Sequence, residues 1–353
     1  MTFSIGNKRI GVNEAAFVIL EVGINHNGDL DMAKKMVRVA KAAGADAVKF
    51  QTFKAQEFVG NPELTFTYQS QGKTVTESML EMFQRYEFTR EEWFELKQFC
   101  DKEDIVFLST PQNESDMALL LEVGVPALKI GSDDFTNLPL IKRYAATKLP
   151  LLLSCGMADL GEVHEALNAS GAFDGGAVLL MLCTSQYPTP IEDANLLKLK
   201  TLAGAFPGLT LGFSDHTQGS YGAAIACGLG ACAFEKHFTL DHNLPGPDHW
   251  FSENPESATE WVKAIRTAQK MLGNPMVQPT AAELDMRRLA RRSVTVIKDI
   301  AAGDVFDEKN LGLRRPGDGL APKWIEQIWG KQARNALQSG VQLKLEDVGY
   351  GRS

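Results

Sequence analysis

The stretch Phe17-Val-Ile-Leu-Glu-Val-Gly-Ile-Asn-His-Asn-Gly28 decides the fold class. Phe17–Val22 is a near-continuous apolar run, as in a parallel strand covered on both faces. The residues after it do not spell the Gly-x-Gly-x-x-Gly turn that opens a dinucleotide-binding sheet. Seven similar runs follow: Ala47–Gln51, Val106–Ser109, Ala127–Gly131, Leu151–Ser154, Val178–Cys183, Thr210–Ser214 and Cys232–His237. Helical periodicity lies between them. In the first such segment Met32, Met36, Val39 and Ala43 fall on one face, and Asp29 and Asp31 favour its N-terminus. Eight strand–helix units in roughly 250 residues predict an α/β fold, a TIM (β/α)8 barrel, over a doubly wound open sheet.

Outward from this core, Phe3–Val12 reads as a hairpin able to plug the barrel floor. Phe53–Phe88 is too long for an ordinary βα loop and reads as a lid or part of the site. The barrel domain is expected over residues 1–280, with a proline-containing linker near 273–284 and a small α+β domain over 285–353. Within that second domain Ile300-Ala-Ala-Gly303-Asp-Val-Phe306 returns as Leu337-Gln-Ser-Gly340-Val-Gln-Leu343, which suggests internal two-fold character.

The 353 residues have the composition of a soluble globular protein, and the net charge of -8 argues against nucleic-acid or anionic-membrane partners. Residues 285–353 nevertheless hold 13 Lys/Arg against 9 Asp/Glu, so the acidic excess belongs to the barrel. The opening Met-Thr-Phe-Ser-Ile-Gly-Asn-Lys lacks the apolar core of a secretory leader, and no stretch is long enough to span a bilayer. Five cysteines in apolar surroundings, without metal-site spacing, fit small core residues in a reducing compartment, so a cytoplasmic location is expected.

Catalytic residues of such barrels gather at the C-terminal ends of the strands. Here every run ends in polar groups: Glu21; Lys49 and Gln51; Ser109 and Thr110; Lys129, Ser132 and Asp134; Ser154; Thr184, Ser185 and Tyr187; Ser214 and His216; Glu235 and His237. Lys49 and Lys129 with the hydroxyls make a cationic, donor-rich basket suited to a phosphate plus a carboxylate. A Schiff-base role for either lysine stays open on this evidence. His216 and His237 end neighbouring runs, about 4.8 Å apart in a sheet, so both imidazoles can reach one divalent cation. Water, substrate oxygens, Glu21 or Asp248 would complete that open coordination, which suits Lewis-acid work on a carbonyl. Glu21 can position or deprotonate a water, or simply pair with Lys49 or Lys129. His26, in the following loop, is close enough in sequence to line the site.

At these residues the chain resembles the sialic acid (nonulosonic acid) synthase family. The matching stretches are Glu21-Val-Gly-Ile-Asn-His-Asn-Gly28, Ala45-Asp-Ala-Val-Lys-Phe-Gln-Thr52, Phe107-Leu-Ser-Thr-Pro111, Leu128-Lys-Ile-Gly-Ser132 and Leu153-Ser-Cys-Gly-Met157. Tyr187-Pro-Thr-Pro190, Gly212-Phe-Ser-Asp-His-Thr217, Glu235-Lys-His-Phe-Thr239 and Pro245-Gly-Pro-Asp248 complete the set. The final segment, through Arg314-Arg315-Pro316-Gly317 and Gly340, resembles the antifreeze-like (SAF) domain of these synthases.

The resemblance implies condensation of phosphoenolpyruvate with an N-acylated amino hexose such as N-acetylmannosamine, giving a nine-carbon 2-keto acid and phosphate. It puts phosphoenolpyruvate on Lys49, Ser109 or Thr110, Lys129, Ser132, Ser154 and Ser214, and the acceptor on Gln51, Asp134, Tyr187 and Asp248. Glu21 would help the water step. His216 and His237 would hold a manganese-like ion, with magnesium or cobalt as substitutes. Arg315 would reach the site from a partner chain in a domain-swapped homodimer.

Three positions depart from the N-acetylneuraminate synthase pattern. Asp134 stands for a usual glutamate, Ser185 for asparagine and Leu182 for a frequent histidine. All bear on the acceptor side, so a diacetamido-trideoxy hexose, as for legionaminic or pseudaminic acid, is the alternative substrate. More distant alternatives are a Schiff-base aldolase and a non-catalytic binding protein built on the C-terminal domain.

Overall fold

In the computed structural model, which describes residues 2–349, a hairpin of β1 (Phe3–Ile5) and β2 (Lys8–Ile10) precedes a parallel eight-stranded sheet. Its strands, in chain order, are β3 (Phe17–Gly23), β4 (Ala47–Thr52), β7 (Val106–Pro111), β8 (Leu128–Ile130), β9 (Leu151–Ser154), β10 (Val178–Cys183), β11 (Thr210–Ser214) and β12 (Ala233–His237). Between β4 and β7 lies an antiparallel hairpin, β5 (Thr65–Ser70) with β6 (Lys73–Ser78).

The sheet is a barrel because its order is cyclic. β12 pairs with β3, so the last strand returns to the first, and β7 and β8, the two edges of the ladder, lie against each other. An open doubly wound sheet would leave its first and last strands apart. The TIM barrel read from the eight apolar runs is the observed fold, with strand bounds shifted by a residue or two.

Alternation along the strands sorts the side chains into two cores. Val18, Leu20, Val22, Val48 and Phe50 point outward and pack under the helices. Phe17, Ile19, Ala47, Leu108, Leu152, Leu179, Met181 and Ala233 point inward, where Ile5 and Ile10 of the hairpin close the floor. Each buried Val, Leu, Ile, Phe or Met side chain among them contributes about 1.5–3 kcal/mol. The lower interior is therefore a solid plug, and the next inward position on each strand opens on the upper mouth.

The first helix, Leu30–Ala42, is capped by Asp29, whose carboxylate accepts from the backbone N–H groups of Asp31 and Met32. Its buried face is Ala33, Met36, Val37 and Ala40, rotated from the expected one. Alanines let the helix approach the sheet, while Met32 and Val39 pack at the flank. The long Phe53–Phe88 segment holds the β5–β6 hairpin between short helices, Ala55–Phe58 and Met79–Gln84.

The chain divides after Gly273 into a second unit. The first helix of that unit, Ala281–Ala290, takes up the last residues of the linker expected near 273–284. Thr280 and Glu283 form a reciprocal capping box at its start. Beyond it, β13 (Ser293–Val296) pairs antiparallel with β14 (Leu311–Arg314), over a core that includes Val294, Ile300, Phe306, Leu337 and Leu343.

The internal repeat is a structural two-fold. Ile300 and Leu337, equivalent in the repeat, exchange backbone hydrogen bonds with each other at 2.9 and 2.8 Å. Gly303 N–H donates to the Ala333 carbonyl and Gly340 N–H to that of Val296, the same bond under exchange of the halves. Both glycines have positive φ, 89° and 97°, the left-handed conformation that side chains avoid.

Candidate active site

The inward positions above the apolar plug carry the polar groups. Glu21 on β3, Lys49 and Gln51 on β4, Thr110 on β7, Lys129 on β8, Ser154 on β9, Cys183 on β10, Ser214 on β11, and Glu235 and His237 on β12 line one cavity of about 490 Å³. Ser132, Asp133, Ser185, Tyr187 and His216 join them from the segments after the strands. The expected convergence of lysines, hydroxyls and two imidazoles on one mouth is what the fold produces.

Local chain geometry sets the close approaches. After Glu21 the β3–β4 register shifts and Gly23 takes a positive φ of 56°, so the strand turns off just past its carboxylate. A side chain on Gly156 would collide with the Ser132 and Ser185 hydroxyls, and its absence lets the Gly156 N–H donate to Ser132 Oγ at 3.0 Å.

Two lysines and two glutamates form the centre. Lys49 Nζ lies 2.9 Å from Glu21 Oε1 and 3.7 Å from Glu235 Oε1; Lys129 Nζ is 3.6 Å from the same Glu235 oxygen. Lys49 donates to Thr110 Oγ1 at 3.1 Å and Lys129 to Ser154 Oγ at 2.8 Å. All four charged side chains are buried. Charges about 4 Å apart interact by several kcal/mol even at an effective dielectric near 20, so this cluster governs what enters. The second oxygens of Glu21 and Glu235 are buried without a hydrogen-bond partner.

Burial raises the Glu21 carboxyl to about 7, and the Lys49 ammonium only partly opposes it. Burial alone would lower Lys49, but Glu21 and Glu235 outweigh it and hold the ammonium above its ordinary value. A Schiff-base lysine needs the free amine, so Lys49 is tuned the wrong way for that chemistry.

The imidazole rings of His216 and His237 stand 5.5 Å apart, centroid to centroid. His216 Nδ1 donates to the Thr184 carbonyl at 2.8 Å; a carbonyl only accepts, so Nε2 is the nitrogen left for a ligand. Burial, with nearby positive charge, holds His237 well below its usual value and hence neutral. Its Nδ1 is buried without a partner, 3.9 Å from Asp248 Oδ2. Burial would lower His216, but its interaction with Cys183 and its bond to the Thr184 carbonyl outweigh that and hold it above its ordinary value. A divalent ion on His216 Nε2 and His237 Nδ1 would therefore displace a proton from His216. Among the described residues no third His, Cys, Asp or Glu joins them, so its other ligands would come from solvent or substrate.

Asp248, raised to about 6 by burial, lines an adjoining cavity of about 440 Å³ with Trp250. Gln51, Phe66, Tyr187 and His237 border both cavities. Phe53, Phe58 and Phe83, packed edge to face, complete the wall, so the long Phe53–Phe88 segment is part of the site.

Three expectations need correction. Ser109 points away from the cavity and hydrogen-bonds Thr52 Oγ1 at 2.7 Å; period two gives the inward place to Thr110. Asp133, not Asp134, lines the cavity; the Asp134 carboxylate accepts from Asn137 Nδ2 at 2.9 Å. His26 is buried against Phe88, its ring 4.2 Å away, outside the cavity. Glu235 is the main residue that sequence reasoning left without a role, although its spacing from His237 put it on the inward face. Cys183 was findable by the same alternation; Asp133 lies past its strand, where alternation stops.

Residues 36–276 match the NeuB family and residues 291–349 a SAF domain. An N,N'-diacetyllegionaminic acid synthase of Legionella pneumophila is 40% identical over 347 residues, covering 97% of each chain. The mouse N-acetylneuraminate-9-phosphate synthase is 32% identical over 344 residues, covering 96% of this chain and 94% of its own. The crystal structure of an N-acetylneuraminic acid synthetase from Leptospira borgpetersenii superposes with a TM-score of 0.73 at 32% identity, covering 81% of this chain and 95% of its own. The strand-end cluster and these likenesses agree: the chain belongs to the NeuB family of synthases and carries a SAF domain at its C-terminus.

Proposed function

We propose that the protein condenses phosphoenolpyruvate with an N-acylated amino hexose to form a nine-carbon 2-keto acid and phosphate. The observation that carries this is the buried Lys49–Glu235–Lys129 cluster with Thr110, Ser154 and Ser214 around it. Two fixed ammonium groups and three hydroxyls suit a small substrate with both phosphate and carboxylate. The resemblance supplies the reaction, and the synthase relatives support it.

In this reading the lysines hold the anionic groups so that the enol carbon faces the acceptor's open-chain aldehyde carbon. A divalent ion on His216 and His237, of manganese type with magnesium or cobalt as substitutes, would supply Lewis-acid polarisation of the aldehyde oxygen. A carbon–carbon bond forms as the enol carbon attacks; the carbonyl π pair passes to the aldehyde oxygen, which takes up a proton from solvent to become the product's hydroxyl, and positive charge develops at the pyruvyl carbon. Glu21 takes a proton from the water that adds there. The tetrahedral species then expels phosphate by C–O cleavage, leaving the 2-keto group.

Among acceptors, the site supports a diacetamido-trideoxy hexose over N-acetylmannosamine. Phe53, Phe58, Phe66 and Phe83 offer apolar contact to acyl and deoxy methyl groups, and Ser185 presents less hydrogen bonding than the asparagine of the neuraminate pattern, whereas Leu182 faces outward into the core and does not line the cavity. The Legionella synthase, at 40% identity, points the same way.

A domain-swapped homodimer in which a partner's Arg315 meets the acceptor belongs to this reading. The helix Ala281–Ala290 supports it, because Leu284, Met286 and Leu289 are each more than half exposed. Five free, buried cysteines support a cytoplasmic setting, and no helix among the described residues is long and apolar enough to cross a membrane. Incubation with phosphoenolpyruvate, Mn2+ and a panel of N-acylated hexoses, reading phosphate release and product mass, tests the reaction. Phosphate release without a nine-carbon product would refute it.

A further inference from the structure

Behind the two imidazoles, on the outer face of the same strands, lies a buried ion pair that contacts no part of the cavity. Chain direction alternates Ser214 in, Asp215 out, His216 in; on β12 it alternates Glu235 in, Lys236 out, His237 in. The β11–β12 ladder ends at Ser214 with Glu235, so His216 stands beyond regular pairing. The Asp215 N–H still donates to the Glu235 carbonyl at 2.8 Å.

Past that point the outer side chains hold the strands together. Lys236 Nζ lies 3.0 Å from Asp215 Oδ2 and donates to the carbonyls of Thr217 and, at 3.1 Å, Gly219. Trp261 Nε1 donates to Asp215 Oδ2 at 3.0 Å, and the Thr217 N–H and hydroxyl donate to Oδ1 at 2.9 and 2.7 Å. Glu253 Oε1 is 3.4 Å from Lys236 Nζ. Asp215 and Trp261 are wholly buried and Lys236 nearly so. A buried pair costs desolvation and is poor evidence of stability, but its directional bonds specify geometry. Here they bind the residue before one histidine, and the residue after it, to the residue before the other.

We propose that Asp215 and Lys236 are positioning residues, a clamp behind the strands that fixes the His216–His237 separation. The inference rests on the reading in which both imidazoles take one divalent ion. Weaker metal binding follows if the clamp is loosened, while phosphoenolpyruvate, held by Lys49 and Lys129, is little affected.

The test uses the full-length chain with Asp215→Asn, and Trp261→Phe as a milder variant that removes one hydrogen bond to the clamp. Mn2+ is titrated without substrate by the loss of its free paramagnetic resonance signal, and phosphoenolpyruvate binding is measured by calorimetry in chelator. Asp215→Asn is expected to weaken Mn2+ by up to about 10-fold, below the range for losing a partner bonded to the ligand itself, with Trp261→Phe in between. An unchanged Mn2+ affinity, or an equal loss of both ligands, overturns the clamp; if Asp215→Asn does not fold, Trp261→Phe decides by the same criteria. If the parent itself binds no Mn2+, the metal reading falls, and a crystal structure of the variant decides the clamp. Rings kept at 5.5 Å overturn it, and a changed separation supports it.

Discussion

Lys49 Nζ and Glu21 Oε1 lie 2.9 Å apart at directly paired positions of adjacent barrel strands. The ladder sets the two side chains side by side on the inward face, so the pair forms with no adjustment of the backbone. The Glu21 carboxyl titrates at about 7, where a base can both hold and release a proton at neutral pH.

The pH dependence of catalysis follows in sign. A base must be ionised, so kcat/KM should fall about tenfold per pH unit below about 7, with a single-proton slope. In Glu21→Gln, condensation should collapse while phosphoenolpyruvate and Mn2+ still bind. Steady-state profiles of the parent and calorimetry of the variant check both statements; normal turnover in the variant would remove Glu21 from the water step.

Glu235 is shared by two buried ammonium groups. Glu235→Gln leaves Lys129 without its ion partner and should cost about 3–5 kcal/mol of stability, the range for breaking a buried pair. Phosphoenolpyruvate brings replacement anions, so denaturation with and without it should show a larger ligand-induced gain in the variant than in the parent. Equal gains would contradict the arrangement.

Ser109 and Thr110 are neighbours with opposite aspects. Thr110→Val should raise the KM for phosphoenolpyruvate through Lys49 and the cavity wall. Ser109→Ala should leave that KM alone and cost about 1 kcal/mol of stability through its bond to Thr52. Kinetics paired with chemical denaturation separates the two effects.

Arg315 is testable by complementation. Arg315→Ala and Glu21→Gln proteins, each impaired alone, should regain part of the parental activity when unfolded and refolded together, because a mixed swapped dimer assembles one intact site. No recovery in mixtures shown to contain heterodimers would rule out a shared site.

Much of the barrel was legible because buried parallel strands write themselves as short apolar runs. The plug below and the polar mouth above follow from the same alternation, which put Lys49, Lys129, Ser154 and Ser214 where the structure has them. That rule also separates Ser109 from Thr110 and brings in Glu235 and Cys183 once it is applied residue by residue. It stops at the strand end, and so it could not choose between Asp133 and Asp134. The helix Ala281–Ala290 was signalled by Thr280 and Glu283, but nearby prolines and glycine made the stretch read as linker. The Asp215–Lys236 pair faces away from the cavity, and a search for site residues alone passes it over.

The mutual bonds of Ile300 and Leu337, and the matched bonds of Gly303 to Ala333 and Gly340 to Val296, make the C-terminal unit resemble a dimer fused into one chain. A half-length ancestor would have needed to meet its twin before either could hide its apolar residues. Joining the halves makes that meeting intramolecular, so assembly no longer waits on concentration. It also frees each copy to diverge: the glycines Gly303 and Gly340 match, while Ala301 and Ala302 of one copy stand where the other has Gln338 and Ser339.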